Sequence, residues 1–354
     1  MANTYATREQ IKRAAQINGD ERNAVIDRLI AAASRRIEGE TGRWFYPKTE
    51  TRLYRWPRLG PGSAYRLWLD ADLIAVTTLQ AKAQDSSPTT IAAADYFLEP
   101  NNHATPYTSI EIDLSSTAAL ESGDTPQRSI SVLGRWGYGE DTETAGTVSS
   151  GLATDAAATS MVCSDASLIG AGDHLLIQSE QVFVSDRSFA ALASILLDMA
   201  GNLAADMATV TVTVDATHGI VAGEVIRIDS EQMYIEGVSG NDLTVVRGYN
   251  SSVLAAHNNN TAIHINRSLT IVRGVNGTAA ATHADATAIN RYVVPEDINL
   301  WCIAETLAAY QQEQAGWGRM IGAGEGATEL SGRSLGDLRK RMVMDYQRLR
   351  MAAI

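Results

Sequence analysis

The 354-residue sequence predicts an α+β protein: an α-helical core with a small β-sheet, plus two inserted all-β modules, one nested in the other. Three observations lead to that expectation. Apolar residues recur at helical spacing near both ends of the chain. Short β-like runs punctuated by turn residues fill the stretch after Arg43. Between residues 159 and 292 one pattern occurs twice, in interleaved order.

The first helix is announced by Thr7-Arg8-Glu9-Gln10, which has capping-box spacing, and runs to about Ile17 before Asn18-Gly19-Asp20 breaks it. A longer helix follows, because Val25, Ile26, Leu29, Ile30, Ala33 and Ile37 form one apolar stripe and Gly42 suits a left-handed cap. From Arg43 onward the candidate strands are residues 52–56, 65–69, 76–79, 109–113 and 129–133, separated by Pro57, Gly60-Pro61-Gly62, Pro88 and Pro100. Trp44, Phe45, Tyr54, Trp56, Tyr65 and Trp68 crowd this region. They could stack on RNA, but buried strand aromatics are the commoner arrangement, and the core reading is preferred.

A Thr/Ala/Ser/Gly-rich stretch, Thr142 to Thr159, reads as a linker. Beyond it, residues 171–184 match residues 222–235 without a gap. Residues 243–250 match residues 269–276, and each of the latter pair reaches a histidine, His257 or His283, at the same distance. The order is first half, both halves together, then second half. Two arrangements give that order: an inner copy inserted into a hairpin of an outer one, or two adjacent modules exchanging halves. Residues 187–206, rich in Ala, Leu and Met, read as a connector with a short helix. The chain therefore divides into 1–141 (first part of the core), 142–292 (the insertion, outer copy 159–186 plus 268–292, inner copy 209–266) and 293–354 (C-terminal helices and a basic tail).

Helix returns at Val294-Pro295-Glu296-Asp297, where Pro sits early and acids fill the first turn. Gly316, Gly318, Gly322, Gly324, Gly326, Gly332 and Gly336 mark a flexible loop. A last helix carries Leu335, Leu338, Met342, Tyr346 and Leu349 on one face. Arg339, Lys340, Arg341, Arg348 and Arg350 lie on the other.

The formal net charge is −12, unevenly spread. Residues 1–58 carry twelve basic and seven acidic side chains, whereas residues 140–290 carry five basic and seventeen acidic ones. The acidic middle argues against nucleic-acid binding there, and the contrast suggests either surfaces meeting different partners or simply two solvated faces. No run of apolar residues is long enough to span a membrane. Met1 to Glu21 lacks the apolar core of a secretory signal, and two distant cysteines, Cys163 and Cys302, suit a reducing compartment. The six histidines (His103, His174, His218, His257, His264, His283) stand in no metal-binding motif. Gly322-Ala323-Gly324-Glu325-Gly326 lacks the strand and the Gly-Lys-Ser/Thr ending of a phosphate loop. Ser179-Glu180-Gln181 and Ser230-Glu231-Gln232 are duplicated, which favours structure over catalysis. No catalytic, metal or cofactor-binding residue is expected, and the chain is read as a non-enzymatic building block.

Both ends of the chain resemble the head–tail connector (adaptor) family of tailed bacteriophages. The residues concerned are Ala32-Ala33-Ser34-Arg35-Arg36-Ile37-Glu38-Gly39-Glu40-Thr41-Gly42-Arg43 after a helix pair, then Asp95-Tyr96-Phe97-Leu98 and Ile130-Ser131-Val132-Leu133-Gly134-Arg135-Trp136-Gly137-Tyr138. At the other end they are Val294 to Asp297, the glycine-rich loop and the basic helix. The inserted copies, with Arg247-Gly248-Tyr249-Asn250 and Arg273-Gly274-Val275-Asn276-Gly277, are similar to a β repeat of phage structural proteins. The resemblance implies a virion protein at the head–tail junction, assembled in the host cytoplasm as a homo-oligomeric ring of twelve copies. It implies docking on the portal protein above and contact with a tail or stopper (head-completion) protein below, with packaged double-stranded DNA passing non-specifically through the lumen. It implies no cofactor and no membrane. The portal-docking element would be the last helix, through Leu338, Met342, Tyr346 and Leu349 in an apolar groove; the competing reading is that this helix completes the subunit's own core. Arg339, Lys340, Arg341, Arg348 and Arg350 would meet partner carboxylates or DNA phosphates. The alternative at this stage is a phage surface or tail-associated protein whose duplicated modules recognise glycans or a host surface.

Overall fold

The computed structural model of the chain describes residues 3–57, 65–103, 105–215, 218–314, 320–321, 328–329 and 333–348. It overturns the expected α-helical core. Helix accounts for 20% of the protein and strand for 38%, and the large apolar cores lie in antiparallel β structure. Helices are present near both ends as expected, but they are few, and most apolar residues alternate inward along strands. The chain forms two compact units. The first is Met1–Arg36, Thr142–Val275 and Ala279–Arg339; the second is Ile37–Asp141, Asn276–Thr278 and Lys340–Ile354.

The helices are α1 (Arg8–Ala14), α2 (Asn23–Thr41), α3 (Glu296–Gln314) and α4 (Arg333–Tyr346). α1 opens on the capping box: Thr7 Oγ1 accepts from Gln10 N at 3.3 Å and Gln10 Oε1 accepts from Thr7 N at 2.9 Å. The stripe of α2 is buried at Ile26, Leu29, Ile30, Ala33 and Ile37.

In the second unit six strands form one sheet: β1 (Lys48–Tyr54), β2 (Arg66–Ala81), β3 (Thr89–Ile91), β4 (Tyr96–Glu99), β5 (Tyr107–Ile112) and β6 (Ile130–Trp136). Their order is β1-β6-β2-β5-β4, with β3 paired to the end of β2. β2 shifts register against both β5 and β6, which lets one strand serve different neighbours along its length. Gly134 faces that irregularity: a Cβ there would meet the Ala75 carbonyl at 2.4 Å, so a side chain does not fit. Leu67, Leu73, Leu79, Ile110, Val132 and Trp136 form the core, with Trp44, Tyr54, Trp56 and Tyr65 packed at its margin. Trp68 departs from the core reading of the aromatics; it is 45% exposed.

The first unit holds the duplication. Its strands are β7 (Thr142–Ser150), β8 (Ser160–Cys163), β9 (His174–Ile177), β10 (Glu180–Leu196), β11 (Thr211–Thr213), β12 (Val225–Ile228), β13 (Glu231–Ser239), β14 (Asp242–Tyr249), β15 (Ala262–Val272) and β16 (Ala288–Tyr292). The pairings β10-β9-β16-β7-β8-β15 close on themselves because β15 also pairs with β10, giving a six-stranded antiparallel barrel. A second circuit runs β13-β12-β15-β10-β11-β14 and back to β13, with β10 and β11 joined around the Leu197–Val214 bridge. The first half of β10 and the second half of β15 belong to the outer barrel. Their other halves are the first and last strands of the inner one. All of the inner barrel thus lies inside one hairpin of the outer barrel.

Register shows how close the copies are. Val182 opposes Leu175 as Met233 opposes Ile226, and Val184 opposes Ile271 as Ile235 opposes Val245. Ile289 opposes Ile177 as Ile263 opposes Ile228. These residues fill two separate interiors, as small barrels require. Two sequence expectations change here. Thr142–Thr159 is not merely a linker, since β7 points Ala145 and Val148 into the outer core. Residues 187–206 contain no helix; β10 continues to Leu196. In both places partner strands decide the backbone over local composition.

Helices and barrels share the first unit through specific contacts. Thr4 Oγ1 donates to Gly172 O at 2.5 Å, Arg8 N donates to Ala171 O at 2.9 Å, and Ala171 N donates to Glu9 Oε2 at 2.9 Å. Arg8 also pairs with Asp27 and Asp186, both at 2.6 Å.

Candidate functional site

Each barrel fastens its last crossover loop with one buried carboxylate. In the inner barrel Glu231, at the start of β13, accepts from Arg247 Nε (2.7 Å) and Nη2 (2.8 Å), Gly248 N (3.0 Å), Ala255 N (3.0 Å) and His257 Nε2 (2.9 Å). In the outer barrel Glu180 receives the matching set: Arg273 Nε (2.7 Å) and Nη2 (2.6 Å), Gly274 N (3.0 Å), Ala281 N (3.1 Å) and His283 Nε2 (2.8 Å). Burial works to raise Glu231, but these donors hold it down at about 2, and Glu180 is lowered in the same way. A carboxylate saturated by donors has no lone pair left for a substrate or metal. These clusters hold loops, and they explain the duplicated Ser-Glu-Gln and Arg-Gly signals. The copies differ at one point: His257 Nδ1 faces Asp229 at 2.8 Å, where His283 Nδ1 faces Gln178 at 3.1 Å.

The thiols are equally enclosed. Burial pushes Cys163 and Cys302 up to about 11, and no group of three His, Cys, Asp or Glu among the described residues is arranged to hold a metal ion.

The second unit contains a cleft of about 630 Å³ lined by Arg43, Trp44, Arg52, Trp68, Asp70, Asp72, Thr108 and Arg348 with neighbouring backbone. Its floor is Asp72, 3% exposed, which pairs with Arg43 Nη1 at 2.7 Å and Arg348 Nη1 at 3.1 Å. Burial raises the Asp72 carboxyl even so, and burial lowers Arg348. On the wall, Asp70 Oδ1 accepts from the Tyr54 hydroxyl at 2.6 Å and from Arg52 Nη1 at 2.8 Å. Arg52 also lies over the Trp44 and Trp136 rings, 5.0 and 4.9 Å from their centroids.

The residues expected to dock on a portal are split between these environments. Arg339 gives Nε and Nη2 to Glu305 Oε1 at 3.0 and 2.7 Å, joining Trp301 Nε1 on that oxygen, while Arg36 reaches Oε2 at 3.4 Å. Met342 is buried and Leu338 half-buried. Tyr346 packs against Phe45 and Tyr138, at 5.7 and 5.5 Å between ring centroids, and Arg348 sits on Asp72. Lys340 and Arg341 are exposed; Leu349 and Arg350 lie outside the described residues, as do most of the glycines of the loop. The sequence reading missed Arg43, Asp72 and the cleft. Two acids, Asp70 and Asp72, within the otherwise apolar run Leu69 to Val76 were the available signal, since a charge there needs a partner when buried.

Comparison of the chain with protein-family models, with curated proteins and with solved structures finds no match.

Proposed function

We propose that the chain is a ring-forming structural subunit of a tailed-bacteriophage head–tail connector, joining portal to tail around a DNA channel. One observation carries this reading. The helical parts of the two chain ends that resemble that family, the N-terminal segment through Arg36 and α3, are far apart in sequence yet meet in the first unit. Ser34 Oγ touches Cys302 Sγ at 3.5 Å and accepts from Tyr5 N at 3.0 Å, Asn299 Nδ2 donates to Tyr5 O at 2.7 Å, and Arg28 pairs with Glu313 at 2.8 Å. The barrels agree with an assembly role. The saturated Glu180 and Glu231 offer no reactive group, and closed barrels carry no free strand edges of their own, which suits a molecule that must not aggregate before assembly. With part of the apolar face of α4 engaged within the chain, the portal contact falls to Lys340, Arg341 and Met344, all exposed. Ring closure needs a heterologous interface between copies. Light scattering and negative-stain microscopy of the full chain test the reading. The expected particle is a channelled ring of about twelve times the 38.0 kDa chain mass, and a strict monomer at assembly concentrations refutes it.

A further inference from the structure

The floor of the cleft in the second unit is not charge-balanced. Arg43 and Arg348, with side chains 17% and 10% exposed, share the single carboxylate of Asp72. Their other bonds among the described residues go to neutral carbonyls, Arg43 Nε to Tyr346 O at 2.6 Å and Arg348 Nη2 to Leu69 O at 2.8 Å. The wall does not supply the missing charge. Lys48 and Arg52 are matched there by Glu50 and Asp70, so that group is neutral in itself. Two guanidinium ions therefore answer to one anion in a largely buried place, and burial disfavours an uncompensated charge unless a counter-ion reaches it. Arg43 and Arg348 both line the cleft, and the indoles of Trp44 and Trp68 line it too, with low-dielectric surface that strengthens any ion contact made inside.

We propose that this cleft is a binding site for a compact oxyanion, a carboxylate or phosphate group seated on Arg43 and Arg348 beside Asp72. Guanidinium groups present forked N–H donors that match both anions, whereas chloride can form no paired contact. The inference is independent of the connector reading, because it rests on the charge count and the cavity alone.

Thermal unfolding and isothermal titration of the full chain, at constant ionic strength set with sodium chloride, test it with inorganic phosphate and with acetate. The proposal expects either oxyanion to raise the unfolding temperature of the second unit above the chloride control. A larger effect of phosphate identifies a phosphate ester as the natural group, and a larger effect of acetate identifies an acidic side chain. Arg348→Gln balances the floor and should weaken binding at least tenfold. Should that variant fail to fold, Asp72→Asn decides. It leaves both cations unanswered, so the stabilisation by oxyanion should exceed that of the unmodified chain. Equal unfolding temperatures in phosphate, acetate and chloride overturn the proposal, as does an Asp72→Asn protein that responds no more than its parent.

Discussion

Replacing Glu231 by Gln keeps the size of the side chain and removes its charge. Arg247, fully buried with Glu231, then loses its one anionic partner among the described residues, and the amide presents an N–H₂ group where the carboxylate oxygens were surrounded by donors. Breaking a buried ion pair from one side costs about 3–5 kcal/mol, a large share of the roughly 5–15 kcal/mol that holds a typical domain together. The loss should localise to the inner barrel, because Glu180 serves the outer one. Native-state hydrogen exchange of the β13 and β14 amides, with denaturant titration followed by circular dichroism, reads it. Removing both partners together, Glu231→Leu with Arg247→Met, should cost less than the sum of the single changes, since no orphaned charge remains. A Glu231→Gln loss below about 1 kcal/mol, or strict additivity in the cycle, would refute the view that this cluster holds the barrel.

Acid should act on the same cluster. Because the folded-state value of Glu231 is depressed to about 2, its stabilisation is complete above the ordinary value of 4.5 and is lost as pH falls from there towards 2; protection of the inner-barrel amides relative to their intrinsic exchange rates should fall across that window and not above it. Gly170→Val copies the residue found at the matching inner position, Val221, but its Cβ would meet Glu9 Oε2 at 2.6 Å and Thr7 Cβ at 2.7 Å, so limited proteolysis should release the segment from Thr4 to Glu9 sooner. Cys163 and Cys302, held up at about 11, should react with a thiol reagent at pH 8 only at the rate of local unfolding; immediate labelling of both in the folded protein would contradict their burial.

The duplication was legible because its strongest signals are chemical: the Ala-Gly turn before β9 and β12, the Ser-Glu-Gln at the hairpins and the Arg-Gly that answers them. The outermost strands of each copy were not. Thr142–Ser150 and the second half of β10 share a place in the barrel but almost no residue types, since an interior wall asks only for small or apolar side chains at alternate positions. Ala- and Leu-rich sequence therefore read as helix where the partners β11 and β15 impose strand. The helical stripe of α2 was plain, yet a periodic stripe says which face is buried and not how much of the protein is helix. Arg348 and Met342 looked like free docking groups because sequence spacing shows the faces of a helix without showing that Asp72 and the chain's own interior already receive them.

Threading one barrel through the hairpin of another also sets an order in time. Val184 and Ile271, partners in the outer barrel, lie about 90 residues apart in the chain, and closing a flexible loop of that length costs about 2.5 kcal/mol more than closing one of about 5 residues. Once the inner barrel has formed, its first and last strands emerge side by side in β10 and β15 and present those distant residues to each other across a short gap. The inner copy, with its own tight β13–β14 turn, can close without waiting for the outer one. During synthesis the strands from Thr142 to Val184 must therefore remain unclosed until the insertion has folded and Leu269 to Tyr292 has followed it, so the oldest part of the double barrel to be made is the last to be finished.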